Sequence, residues 1–155
     1  MNVQQNTKKG FTIIEVVLVL AIAALIFLMI FVALPALQRG QRNTARKNDV
    51  GTIASAINTY RSNRGGALPA TQAQLATYID KLSQINSADV RVQAYAAGAT
   101  FTETAANLDT VTVYTGAACN DATGQPQGTT AAKAAAVVTV VEAGTSTYAA
   151  YCQKV

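Results

Sequence analysis

The chain has 155 residues, half of them apolar and 13% charged, with a formal charge of +4, two cysteines and no histidine. That length suits one domain, and the apolar fraction excludes extensive disorder. Without histidine or a CxxC spacing there is no support for a metal centre or thiol catalysis, and no cofactor is expected.

Met1 to Gly10 is short and polar and ends in Lys8-Lys9-Gly10. A secretory signal peptide has its basic residues first, then an apolar stretch of about 7 to 15 residues and a small-residue cleavage site after it. Here the stretch after the basic pair is longer. Every side chain from Val16 to Leu37 is apolar, and at 1.5 Å per residue the run makes a helix of roughly 33 Å, against a hydrocarbon core of about 30 Å. It is long enough to span a bilayer and is expected to stay with the mature protein, with the polar, Ala-, Thr- and Gly-rich residues after Arg39 forming a water-soluble part hung from it.

Glu15 stands within one turn of the start of this anchor. An acidic group there needs a reason, since it costs up to about 2.5 to 3.5 kcal/mol at a bilayer centre. Either a cationic partner arrives laterally within the membrane, which makes Glu15 an intermolecular recognition group, or the side chain snorkels to the interface. Arg39, Arg42, Arg46 and Lys47 follow the anchor at near-helical spacing. They form a basic stripe facing lipid headgroups or a partner, or else a solvated helix face. By the positive-inside rule alone, these four cations against the two before the anchor favour a cytoplasmic C-terminal half. The paired cysteines and the leader favour the opposite topology, N-terminus inside and soluble domain outside, and they outweigh the rule.

Lys9-Gly10-Phe11-Thr12-Ile13-Ile14-Glu15, followed by a long apolar helix, resembles the processing and assembly signature of type IV pilins and their pseudopilin relatives. The resemblance implies a class III signal, cut after Gly10 by a prepilin peptidase on the cytoplasmic side, and methylation of the new N-terminal Phe11. It implies that Glu15 then pairs with the Phe11 amino group of a neighbouring copy, and that inner-membrane assembly machinery builds a helical filament from such copies. Gly10 has no side chain to obstruct a peptidase, and removing the leader creates an α-amino charge near the depth of Glu15.

Beyond the anchor Val50, Ile53, Ala54, Ile57 and Tyr60 keep the i, i+3, i+4, i+7 spacing of a helix with one buried face, which predicts one helix from about Phe11 to Arg64, roughly 80 Å long. Pro35 inside it removes a backbone donor and is expected to kink or loosen it. Gly65-Gly66 and then Pro69 signal its end. Thr71 and Gln74 read as a capping box opening a second, short helix with the stripe Leu75, Tyr78, Ile79 and Leu82. Val90 to Tyr95, Asp109 to Thr115, Ala135 to Glu142 and Ser146 to Tyr151 read as strands, with Gly144 turning the last pair into a hairpin. The expected fold is α+β: a long N-terminal helix packed on a C-terminal antiparallel sheet, as in pilins. Cys119 and Cys152, an even count in an exported domain, suggest a disulfide, the other reading being two buried thiols. In pilins of similar layout such a region is exposed and varies the surface, which suggests adhesion or display by the loop from about Asn120 to Thr130, the other reading being a stabilised loop with no binding role.

The expected division is a cleaved leader at 1–10, a membrane and polymerisation helix at 11–38, its amphipathic continuation at 39–64 and a globular head at 65–155. The chain is read as a structural subunit of a type IV pilus supporting adhesion or twitching motility, lodged in membrane lipid before assembly and on the cell surface after it. A pseudopilin of a secretion system, a minor pilin and a DNA-uptake pilin are the near alternatives, and a non-polymerising anchored binding domain is the one from another class. Nucleic acid is not expected as a partner, because pilin-like packing would bury the basic stripe. The carboxylates Asp80, Asp89, Glu103, Asp109, Asp121 and Glu142 show no pairing motif for acid–base work, so no enzyme is expected.

Overall fold

A computed structural model describes residues 10–155. The leader expected at 1–10 lies outside the described residues except for Gly10, and so do Lys8 and Lys9. The chain divides between Gln38 and Arg39 into two compact units, and helix α1 (Ile13–Asn63) contributes to both.

In the first unit all the large apolar side chains of α1 from Ile13 to Leu37 are exposed. This stretch is long and apolar enough to cross a membrane, with a mean hydropathy of 3.3 over its most apolar window. The chain remains helical through Pro35, whose missing N–H leaves the carbonyl four residues back without its usual donor.

The second unit is built around the continuation of α1. Val50, Ile53, Ala54, Ile57 and Tyr60 are buried, as their spacing predicts, and the helix stops at Gly65 and Gly66, which take φ of 61° and 87°. A left-handed pair of this kind is open to glycine at no steric cost, and it lets the Gly66 N–H reach the Arg61 carbonyl at 2.7 Å. The expected second helix is reduced to α2 (Gln72–Ala76). Thr71 makes no capping bond, and Gln74 Oε1 accepts from the Ala70 N–H at 2.8 Å and the Tyr60 hydroxyl at 3.4 Å, not from the Thr71 N–H. Leu75 is fully buried, while Tyr78, Ile79 and Leu82 reach the same core from irregular chain. What bends that chain is Asp49, buried on α1, whose carboxylate accepts the N–H groups of Ser83, Gln84 and Ile85 at 2.7, 2.7 and 3.0 Å. Three charge-assisted bonds to one carboxylate hold the loop more firmly than another helical turn would.

Strands β1 (Val90–Ala94), β2 (Val111–Thr115), β5 (Ala135–Glu142) and β6 (Tyr148–Lys154) form a sheet in the order β1-β2-β5-β6. The sheet is mixed, where the sequence predicts an antiparallel one. β5 is antiparallel to both its neighbours, but β1 runs parallel to β2, with Val90 beside Val111 and Ala94 beside Thr115. Residues 95–110 form a crossover long enough to bring the chain back in the same direction. β5 and β6 are joined by the expected hairpin, closed by the Ala143 N–H on the Thr147 carbonyl at 2.8 Å.

One sheet face, with Val111, Val113 and Val137, packs on α1; the other, with Tyr114, Ala136, Val138 and Val140, is covered by Phe101 and a second, two-stranded sheet. That sheet, β3 (Ala117–Cys119) with β4 (Pro126–Gly128), is absent from the sequence-based expectation. Covering on both faces explains why β2, and β5 as far as Val141, are apolar or Thr and why consecutive residues of both strands are buried.

Candidate functional site

At the start of α1, Thr12 and Glu15 form a capping box. The Thr12 N–H and hydroxyl donate to Glu15 Oε2 at 2.8 and 2.7 Å, and the Glu15 N–H reaches back to Thr12 Oγ1 at 3.4 Å. The Thr-x-x-Glu pattern is in the sequence, and it supplies the carboxylate with a local partner and the helix with satisfied N-terminal donors. Glu15 Oε1 takes no hydrogen bond among the described residues. The same carboxylate lies at the rim of an apolar groove lined by Phe11, Val16, Val19 and Leu20, with Phe11 90% exposed. Gly10 is exposed as well, and a Cβ added to it would meet nothing within 4 Å. Among the described residues, no packing requires glycine at position 10.

Two cations of the basic stripe share one acceptor. Arg42 donates through Nε and Nη2 to the two oxygens of Glu142 at 3.0 and 2.9 Å, a bidentate pair, and Arg46 Nη1 adds a third bond to the same carboxylate at 3.0 Å. Arg46 is 4% exposed and also meets Asp109 at 3.4 Å. Arg39 donates to the Thr145 hydroxyl at 3.2 Å, and the Lys47 ammonium stands 5.1 Å from the centre of the Tyr151 ring. The Glu142 carboxyl is held down at about 2, first by the Arg42 hydrogen bond, against a smaller opposing effect of burial, with Arg46 adding to the depression. The Arg42 guanidinium is raised by the same bond. Asn43 completes the junction with a reciprocal pair to the Glu142 backbone, at 2.8 and 2.9 Å. Arg42 and Arg46 thus form a clamp between α1 and the end of β5, with Arg46 buried, while Lys47 remains exposed. The sequence spacing carried the cations but not their acceptor, which lies about a hundred residues away.

Cys119 and Cys152 are joined in a disulfide, so the alternative of two thiols is discarded. It ties β3 to β6 and closes the Asn120–Gln125 turn against the sheet, with an ion pair from Lys154 to Asp121 at 2.8 Å beside it. Two of the loop's polar side chains are engaged within the chain: Asn120 Oδ1 accepts the Ala122 and Thr123 N–H groups of the loop, and Gln125 bonds the backbone of Phe101 outside it. Among the described residues no group of three or more His, Cys, Asp or Glu side chains is placed to hold a metal ion.

Residues 5–31 match the family model described as the prokaryotic N-terminal methylation motif. No curated protein and no solved structure gives a significant match to the chain.

Proposed function

We propose that this chain, a type IV pilin-like protein by its N-terminal methylation motif and its α+β fold, is a structural subunit of a type IV pilus, serving adhesion or twitching motility. The observation that carries the proposal is the methylation motif at residues 5–31, which overlaps the start of a helix whose large apolar side chains from Ile13 to Leu37 are exposed among the described residues. A prepilin peptidase cuts after Gly10, the new Phe11 amino group is methylated, and copies join through the N-terminal part of α1. In the bilayer lipid covers that surface; in a filament other copies do.

Glu15 supplies the register. Thr12 holds one carboxylate oxygen and leaves the other open, beside the point where cleavage creates a positive charge. The charge on the Phe11 amino group of an incoming copy is attracted to that oxygen more strongly as water is excluded around it. Cleavage thus adds an α-amino charge next to Glu15, so that each copy carries both halves of an intermolecular pair. Pro35 is the place where α1 can loosen on assembly. The soluble head lies across the membrane from the leader, a placement that the disulfide supports, since such bonds persist in oxidising compartments.

Intact-mass and N-terminal analysis of the protein extracted from its host's membranes tests the proposal. The expected product begins at Phe11 and carries one extra methyl group. A chain still beginning at Met1 would mean that the motif is not used and would favour an anchored domain that does not polymerise.

A further inference from the structure

β6 is an edge strand of the four-stranded sheet. Ala135 and Val155 exchange both backbone bonds, at 3.3 and 2.9 Å. With the antiparallel register, which sets Val137 beside Gln153 and Val138 beside Cys152, the inward-bonding residues of β6 are Ala149, Tyr151 and Gln153. Tyr148, Ala150, Cys152 and Lys154 turn their N–H and C=O groups away from β5. That outward row is capped. The Ala150 N–H donates to Glu103 Oε1 at 3.2 Å, and Gln125 Nε2 holds the same oxygen at 2.6 Å. Gln125 also bonds the Phe101 carbonyl and N–H, at 3.2 and 3.0 Å. Gly124, with φ of 69°, closes over the Ala150 carbonyl so tightly that any side chain there would run into the oxygen. The covalent member of the cap is the Cys119–Cys152 disulfide.

The covered segment, Tyr148-Ala149-Ala150-Tyr151-Cys152-Gln153, contains no charge, proline or glycine, which is the composition of a strand that pairs with identical strands. We propose that the disulfide-bounded loop is an edge cap, and that opening it turns β6 into a pairing surface for β6 of a second copy of this chain. The opening step is a two-electron exchange with a dithiol: the S–S bond breaks, Cys119 and Cys152 each take a proton and become thiols, and the dithiol leaves as a cyclic disulfide. Two uncovered β6 strands then pair antiparallel about a twofold axis, each supplying the groups that Glu103 and Gly124 had covered. α1 takes no part, so the proposal does not depend on the filament reading.

The experiment uses the full chain in detergent, oxidised and after dithiothreitol, with site-resolved amide hydrogen exchange and analytical ultracentrifugation over a range of concentrations. On reduction the Ala150 and Cys152 amides are expected to exchange at least about tenfold faster in dilute solution while those of β2 and β5 stay protected, and a dimer absent from the oxidised sample is expected to form as concentration rises. Unchanged Ala150 protection, or faster exchange with no dimer, would overturn the proposal. If reduction unfolds β2 and β5, the oxidised double variant Glu103→Ala, Gln125→Ala decides on the cap: Ala150 exchange at least about tenfold faster with β2 and β5 still protected upholds it, and unchanged Ala150 protection refutes it.

Discussion

Replacing Glu142 by Ala removes one carboxylate that holds two guanidinium groups, and leaves Arg46 buried with only Asp109 at 3.4 Å, itself 73% exposed. Arg46 Nε already has no partner, so the loss falls on a group with little left to satisfy it. Stripping the partner from a buried charge costs about 3 to 5 kcal/mol. Here the remaining Asp109 contact, and water reaching a Glu142 side chain that is 12% exposed, reduce the figure to about 2 to 3 kcal/mol. In a domain of this size that lowers the melting temperature by about 6 to 12 °C. The two Asn43 bonds reach the Glu142 backbone and survive the substitution, so β5 keeps its place and the measurement isolates the charges. Melting of the full chain in detergent, followed by tyrosine near-ultraviolet circular dichroism, is the assay, and the pH dependence adds a sign. The Glu142 carboxyl is depressed from 4.5 to about 2, so its stabilisation is complete above the unfolded value and is lost as pH falls towards the folded one. The difference between wild type and Glu142→Gln should therefore be largest near neutrality and shrink between about pH 4.5 and 2. A drop of less than about 2 °C at neutral pH, or a difference that does not change with acid, would mean that the clamp adds nothing net.

Asp49→Ala leaves the Ser83, Gln84 and Ile85 N–H groups without their acceptor and should cost about 3 kcal/mol or more; a urea midpoint equal to wild type would remove the carboxylate's anchoring role. Cys152→Ser should lower stability by roughly 3 to 4 kcal/mol, and wild type should melt correspondingly earlier with reductant, whereas identical melting with and without it would argue that the bridge contributes nothing. Glu15→Val should leave membrane insertion and Gly10 cleavage unchanged and reduce the yield of sheared filaments, and a full yield would end its proposed part in assembly.

Where the signal is local, the sequence is sufficient. The anchor, the Gly10-Phe11 and Glu15 signature, the buried stripe Val50 to Tyr60, the stop at Gly65-Gly66 and the approximate positions of the four long strands depend on period, length and residue chemistry within a few turns of chain. Where partners come from far along the chain, only the tertiary structure decides. The short strands β3 and β4 carry too little pattern to be read and exist because the disulfide and the second sheet face hold them. β1 is parallel to β2 because residues 95–110 return the chain, which strand composition does not encode. Thr71 and Gln74 fit a capping box by spacing, yet Ala70 and Tyr60 take the amide, while Thr12 and Glu15 have the same spacing and form one. Arg42 and Arg46 read as a basic face until Glu142, about a hundred residues on, accepts them. A charge declares itself in sequence, but its partner is chosen by how the chain closes in space.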